Sequence, residues 1–219
     1  MKTYLSIDLD FWNRRPLSEC EKILTKVQSI ADRKGIKIKI VEEHHDLIDD
    51  INKTNCQRVI NIDYHSDIAN LNVPDGYKLE LNCGTWANFL KGHENKEYIW
   101  VHPAGMRLCD GYCHYPVTNR YNPFLHPEIA KWKSCTRIAA TQRDFPWDLL
   151  YGVDGIGFCT SYDYLRDVDC QLARAAKVFG LSVIERLIRD LSTYNNSGII
   201  KSVRSHLKCM GVKIPEKAA

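Results

Sequence analysis

Hydrophobic and polar positions divide the front of the chain into alternating strand and helix signals. Thr3 to Leu9 is a short apolar, β-prone run. Ser18-Glu19-Cys20-Glu21 has the spacing of a capping box, in which the Ser oxygen and the Glu carboxylate satisfy each other's backbone donors. A helix with apolar positions at Ile23, Leu24, Val27 and Ile30 is predicted to follow, ended by Gly35, which tolerates the left-handed cap conformation. Ile36 to Val41 alternates with period two and predicts a strand. A short helix over 46–53 and a strand over 58–62 come next.

Strand, helix, strand, helix, strand implies parallel pairing through crossovers and an α/β sheet buried on both faces. Glu97 to Val101 predicts a further strand, closed by His102-Pro103, and Gly155 to Thr160 a last one. Helical patterns cover about 167–179 and 181–193, before a shorter basic amphipathic segment near 199–208 that includes Lys201, Arg204 and Lys208. Residues 103–150 carry Pro103, Pro116, Pro123, Pro127 and Pro146, many aromatics and no clear helical period. They are expected to form an ordered excursion with short elements, a lid or substrate wall, because long structureless loops are uncommon in compact domains. The expected architecture is one three-layer α-β-α domain over 1–219 around a mainly parallel sheet.

Composition narrows the function classes. A chain of 219 residues with 44% hydrophobic and 26% charged positions suits one sizeable globular core. Lys and Arg number 30 against 27 Asp and Glu, and this +3 balance is too weak to argue for nucleic acid as partner. Asp8 and Asp10 interrupt the first apolar run, which excludes a signal peptide there, and no stretch approaches the roughly 18 apolar residues of a membrane span. The nine cysteines, an odd number, are therefore expected as reduced thiols in a cytoplasm.

The informative residues sit where the early strands end. The first delivers Asp8-Leu9-Asp10, the second Glu42-Glu43-His44-His45-Asp46, the third Asp63-Tyr64-His65-Ser66-Asp67. Carboxyl ends of parallel strands form the ligand crevice of an open sheet, so the three clusters are expected to converge. Residues two apart on a strand point the same way, which pairs Asp8 with Asp10 and Asp63 with His65. Hard carboxylates mixed with imidazole suit Mn²⁺, Fe²⁺ or Zn²⁺, and the number of acids favours two metals sharing bridging carboxylates. For any single one of these acids, capping a helix or making a turn is the commoner role.

Ser6-Ile7-Asp8-Leu9-Asp10 resembles the S-x-D-x-D motif of the ureohydrolases (arginase, agmatinase), and Asp63 to Asp67 resembles their D-x-H-x-D motif. Asn82-Cys83-Gly84-Thr85-Trp86 is similar to the H-G-T segment of agmatinases. Glu42 to His45, Asp8 to Phe11 and Ile99 to Pro103 resemble segments of a small branch of this superfamily that includes the peptide arginases, which convert arginine in ribosomal peptides to ornithine. The order of motifs is rearranged, with S-x-D-x-D first, as in a circular permutation.

The resemblance implies two Mn²⁺, with Fe²⁺ or Zn²⁺ as alternatives. It assigns one metal to His45, Asp63, Asp67 and Asp8, and the second to His65 and Asp10, with Asp63 and Asp8 bridging. The implied substrate is an arginine-containing peptide, hydrolysed at the guanidinium to ornithine and urea. Cys83 takes the position of the family's proton-shuttling histidine, with His102, His44 and His93 as other candidates. Glu42 and Glu43 offer carboxylate oxygens that match a guanidinium fork, with Ser161 and Asp163 as further partners and Trp86 in the substrate wall. Ala69 stands where arginase has an asparagine that grips free arginine, which favours a peptide. A deacetylase or other amide hydrolase, and a silent metal- or peptide-binding module, are the competing readings. Cys109-Asp110-Gly111-Tyr112-Cys113-His114 is read as a turn with buried thiols rather than half of a zinc site.

Overall fold

The structure, a computed structural model, describes residues 1–13, 16–68, 81–104, 132–141, 144–165, 167–190 and 196–214. Strands β1 (Thr3–Asp8), β2 (Lys39–Val41), β3 (Arg58–Ile62), β4 (Glu97–Pro103), β5 (Ser134–Ala140) and β6 (Val153–Cys159) form one sheet. Their order is β2-β6-β1-β3-β4-β5, and every pair is parallel. Helices α1 (Leu17–Lys34), α2 (Ile48–Thr54), α3 (Val168–Phe179), α4 (Leu181–Asp190) and α5 (Asn196–Cys209) flank it. This is the three-layer α/β arrangement that the alternating pattern implies. Among the described residues no helix is long and apolar enough to cross a membrane.

Two cores follow from the alternation of side chains along each strand. Leu5 and Ile7 of β1, Ile60 and Ile62 of β3 and Ile156 and Phe158 of β6 pack under α1, α3, α4 and α5. Each such fully buried side chain contributes about 1.5–3 kcal/mol. On the opposite face Tyr4, Val59 and Cys159 pack with Leu47 and Ile51 of the α2 region, Trp86 and Trp100. Sheet strands with both faces covered read as continuous apolar runs, which is why β1, buried at all six positions, looks so in the sequence.

Three local expectations change. The capping box does not form: α1 begins at Leu17 with Pro16 at its N-cap and no side-chain cap bond. Glu21 reaches across to Arg174 and Lys177 of α3 instead, a tertiary ion pair outcompeting a local bond. Gly35 does end the helix, at φ 65°. The alternating run 36–41 pairs only over Lys39–Val41, because β2 is an edge strand against β6 alone. The excursion contains a full strand, β5, whose sequence Ser-Cys-Thr-Arg-Ile-Ala-Ala lacks alternation because it too lies at an edge. Residues 105–131, including the Cys109 to His114 segment, lie outside the described residues.

Strand β6 is glycine-bearing where the second layer comes closest. A Cβ at Gly155 would lie 2.6 Å from the Tyr4 ring, and one at Gly157 would lie 2.6 Å from a Leu47 methyl and 2.8 Å from Tyr4 Oη. Tyr4 Oη donates to Asp50 Oδ2 at 2.7 Å, so the same tyrosine ties α2 to the sheet. The glycines thus set how low the 3-10 turn His44–Leu47 rides over β1 and β6. Gly157→Ala is expected to cost roughly 1–3 kcal/mol in urea denaturation. Gly152→Ala, with nothing within 4 Å of its Cβ, is expected to change stability by less than about 0.5 kcal/mol. Equal effects at the two positions would disprove this packing account.

Candidate metal centre

The connections from β1 and β3 leave the sheet on opposite faces. After β1 the chain passes through Leu9, Phe11 and Trp12 into the α1 core, whereas after β3 it runs through Ile68 and Trp86 into the α2 core. Such a divergence between adjacent strands opens a crevice at their carboxyl ends. Asp8 and Asp63 stand on its two sides, on the face shared with Ser6 and Asn61, since residues two apart share a face. The turn His44–Leu47 closes it from the α2 side.

Three carboxylates converge there on one imidazole nitrogen. His44 Nδ1 lies 3.2 Å from Asp8 Oδ2, 3.1 Å from Asp63 Oδ2 and 3.0 Å from Asp67 Oδ2. One N–H cannot satisfy three acceptors. Metal–ligand bonds of about 2.0–2.2 Å place neighbouring donors roughly 3.0–3.4 Å apart, a spacing each of these nitrogen–oxygen pairs has; His44, Asp63 and Asp67 form one compact donor group, and Asp8 approaches His44 from the side of Cys159. His44 Nε2 is 2.6 Å from Ser6 Oγ, and a proton donated there leaves Nδ1 as the free ligand atom. A second group adjoins it, with His65 Nδ1 2.9 Å from Asp10 Oδ2 and 3.8 Å from Asp63 Oδ1. Asp63 belongs to both groups.

Outer partners hold this arrangement. Trp86 Nε1 donates to Asp67 Oδ2 at 2.6 Å and its ring lies 4.8 Å from that of His44. Asn61 Nδ2 donates to Asp63 Oδ2 at 3.1 Å, and Trp100 Nε1 to the Asp63 carbonyl at 3.0 Å. Ser161 Oγ donates to Asp8 Oδ2, and the Tyr64 amide to Asp10 Oδ1 at 3.2 Å. Asp67 and Ser161 both adopt positive φ, 54° and 40°, conformations that persist only where the surroundings enforce them.

The electrostatics are compatible with a bound cation. Asp8, Asp10, Asp63 and Asp67 are all buried, and among the described residues none of them pairs with Lys or Arg. Burial and the charges of Asp8 and Asp63 raise Asp10 well above the usual carboxylate range, and burial with the Asp63 charge pushes Asp67 up to about 7. Burial works against the His44 imidazolium, yet its bonds to Asp63, Asp67 and Asp8 hold its pKa well above the ordinary value. Burial likewise opposes ionisation of Asp63, but His44 overrides it and keeps that carboxyl low. The donor set therefore fits a divalent cation, which would replace the imidazolium proton at the centre of the acids. Cys159 also lies close to Asp8 and His44, but its Sγ donates to the Glu42 carbonyl at 2.9 Å and burial raises its thiol pKa.

Of the residues expected in the site, Asp8, Asp10, Asp63, His65 and Asp67 are brought together. His45 is not: it turns outward beside Asp46, Nε2 to Oδ1 3.8 Å, and its neighbour His44 takes the place, because the 3-10 turn directs only one of the pair under the sheet edge. Trp86 does not line a substrate wall, being fully buried beneath Asp67. His102 is engaged at both nitrogens, by Arg137 Nε at 2.7 Å and the Pro103 carbonyl at 3.0 Å, which leaves it no free position for shuttling protons. Burial and the Arg137 charge hold it at about 4, so it stays neutral.

His93 packs against Trp132, 5.6 Å between rings. Cys83 is half-buried with Sγ 3.2 Å from Tyr164 Oη, and Ser161 touches the acids directly. Half-buried Glu43 is raised by burial, and the charge of exposed Asp163 adds to the rise. Ala69 lies outside the described residues. Sequence reading missed Ser6, Asn61, Trp100 and Tyr164; for Ser6 and Asn61 the signal was present, two residues before Asp8 and Asp63 on the same face.

No protein-family model, curated protein or solved structure matches this chain.

His44→Ala is expected to lower Mn²⁺ affinity in equilibrium dialysis by more than about 100-fold, and Trp86→Phe, which removes an outer partner, by about 10–100-fold. His45→Ala should bind as the parent does; the reverse ranking of the two histidines would overturn the assignment. Without metal, Asp10, Asp67 and His44 bind protons more tightly folded than unfolded. Their stabilisation is full below the unfolded values, 3.8 for the acids and 6.5 for the imidazole, and is lost as pH rises through the folded ones, about 7 for Asp67. Asp63, held below 3.8, acts in the opposite sense, its stabilisation being lost only as pH falls below that value. In chelator the urea midpoint should therefore fall between about pH 5 and pH 8, and Mn²⁺ should restore it at the upper end. A midpoint indifferent to both variables would count against the cluster as a cation site.

Proposed function

We propose that the protein is a binuclear-metal hydrolase that acts on the guanidinium group of arginine residues within a peptide, giving ornithine and urea. The observation that carries the reading is the position of Asp63, one oxygen 3.1 Å from His44 Nδ1 and the other 3.8 Å from His65 Nδ1. A single carboxylate thereby faces two donor sets. His44, Asp8 and Asp67 would complete one site, His65 and Asp10 the other, and two Mn²⁺ suit donors so rich in hard oxygen. Cations held there supply a nucleophilic water near neutral pH and stabilise the charge that develops at the carbon under attack.

The remaining work falls to side chains at the rim. Glu43, half-buried and close enough to feel the charges of Asp8, Asp163 and His45, is placed to accept hydrogen bonds from a guanidinium fork. A cation arriving there would offset the burial that raises its pKa. Cleavage of the carbon–nitrogen bond requires a proton for the departing amine. Cys83 and Tyr164 share a contact at 3.2 Å, and both stay protonated: burial raises the thiol, and the bond to Cys83 raises the phenol. Tyr164, edge-on to His65 at 5.9 Å, brings that pair beside the second donor set. The preference for peptide over free arginine rests on the sequence resemblance.

Incubation with Mn²⁺ and arginine-containing peptides is expected to release urea and leave ornithine, detected by mass. Two Mn²⁺ per chain by elemental analysis are expected, and Asp63→Ala should reduce urea release to background while the far-UV circular dichroism is retained. Activity surviving in Asp63→Ala would remove the site assignment. One bound Zn²⁺ with amide cleavage would point instead to deacetylase chemistry. Equal turnover of free arginine would refute the peptide preference.

A further inference from the structure

Strand β5 carries an opposite charge two strands from the acids, on the sheet face they share. Arg137 of β5 pairs in register with Trp100 of β4, and Trp100 with Asn61 of β3. At about 4.8 Å per strand, Arg137 therefore originates roughly 10 Å from the strand that bears Asp63. Its guanidinium carbon lies 5.4 Å from the centroid of the Trp100 ring, and Nε donates to His102 Nε2 at 2.7 Å. His102 can accept there because its Nδ1–H is engaged with the Pro103 carbonyl at 3.0 Å. The side chain is thus oriented by an aromatic face and a neutral ring, neither of which cancels its charge.

That makes Arg137 unlike the other half-buried arginines among the described residues. Arg58 is neutralised by Glu97, Arg174 by Glu21 and Arg204 by Glu185. Among the described residues Arg137 has no carboxylate partner; its contacts are His102 and Trp100. A half-buried guanidinium without a counter-ion is costly unless a ligand supplies one. With Nε taken, the Nη1 and Nη2 edge remains for a planar oxyanion, and a carboxylate matches that edge with parallel hydrogen bonds.

We propose that Arg137, held by His102 and Trp100, is a subsite for a carboxylate carried by the substrate. Asp63 on one strand and, two strands away on the same face, a guanidinium with no carboxylate partner among the described residues give that face a polarity suited to a molecule bearing a cation and an anion. The identity of the cationic end rests on the hydrolase reading; the anion subsite does not. The carboxylate is either the carboxyl terminus of the peptide or an acidic side chain beside the arginine.

Three acetylated tripeptides separate these sources: Ala-Arg-Ala amide, with no carboxylate; Ala-Arg-Ala acid, with a terminal one; and Ala-Arg-Asp amide, with a side-chain one. Affinities measured by calorimetry without added metal, so that no turnover enters, should favour at least one carboxylate peptide over the amide by about tenfold or more. Arg137→Met should erase that ratio, and Arg137→Lys, a point charge without the fork, should retain only part of it. Should Arg137→Met not fold, the ¹⁵N resonances of the Arg137 guanidinium in the parent protein provide the second reading, shifting with the favoured carboxylate peptide and not with the amide. No preference in the parent, a preference that survives Arg137→Met, or unmoved Arg137 resonances would each overturn the subsite. A carboxylate preference without urea release would keep the subsite and discard the hydrolase reading, and urea release without a preference would do the reverse.

Discussion

Three aspartates buried around one imidazole nitrogen, with a fourth beside a neighbouring histidine, are the constraint on which the rest of this structure depends. Like charges in a dry crevice repel, and each carboxylate withdrawn from water carries a desolvation penalty that only a partner can offset. Asp8, Asp63 and Asp67 meet at His44 Nδ1, and each has a further donor from a neighbouring element: Ser161, Asn61 and Trp86. These donors come from the segment after β6, from β3 itself and from the 3-10 turn Trp86–Phe89, so the cluster ties together segments far apart in the chain. A divalent cation at its centre would convert the least favourable electrostatic feature of the fold into a favourable one.

The sheet provides the place, and its second layer provides the closeness. Because the described residues that follow β1 and β3 enter opposite cores, the strand ends between them open a crevice for side-chain chemistry. Gly155 and Gly157 let Tyr4 and Leu47 settle against β6, and the turn that carries His44 descends with Leu47. Packing on one face thus fixes a ligand on the edge. The positive φ of Asp67 and Ser161 belongs to the same design, in which local backbone strain is maintained by surrounding contacts so that a carboxylate and a hydroxyl point inward.

Much of this was legible in the chain, and the limits are instructive. Strands β1, β3, β4 and β6 announce themselves because central parallel strands bury both faces and read as apolar runs. The edge strands did not: β2 is shorter than its alternation suggests, and β5 has no pattern that separates it from a loop. Helix starts were misplaced where a distant partner took a residue that local rules assigned elsewhere, as Arg174 and Lys177 took Glu21. The acids at strand ends are visible through spacing, and the same spacing marks Ser6 and Asn61, two residues before Asp8 and Asp63 on the same face; Trp100 carries no such mark, since nothing about a tryptophan in a strand distinguishes a partner of the acids from ordinary core.

By itself the sequence determined that an α/β sheet would present Asp8, Asp10, Asp63, His65 and Asp67 at one edge, because hydrophobic periodicity and the carboxyl-end rule depend only on local pattern and chain direction. Tertiary structure decided which of two adjacent histidines joins them. His44 and His45 are chemically identical and one position apart, so the choice lies in the roll of a short 3-10 turn, set by Leu47 against Gly157 and by Ser6 beneath the ring. It also decided the surroundings of Arg137, for whether a charge is paired depends on what the fold brings beside it, and among the described residues the fold brings a tryptophan face and a neutral imidazole.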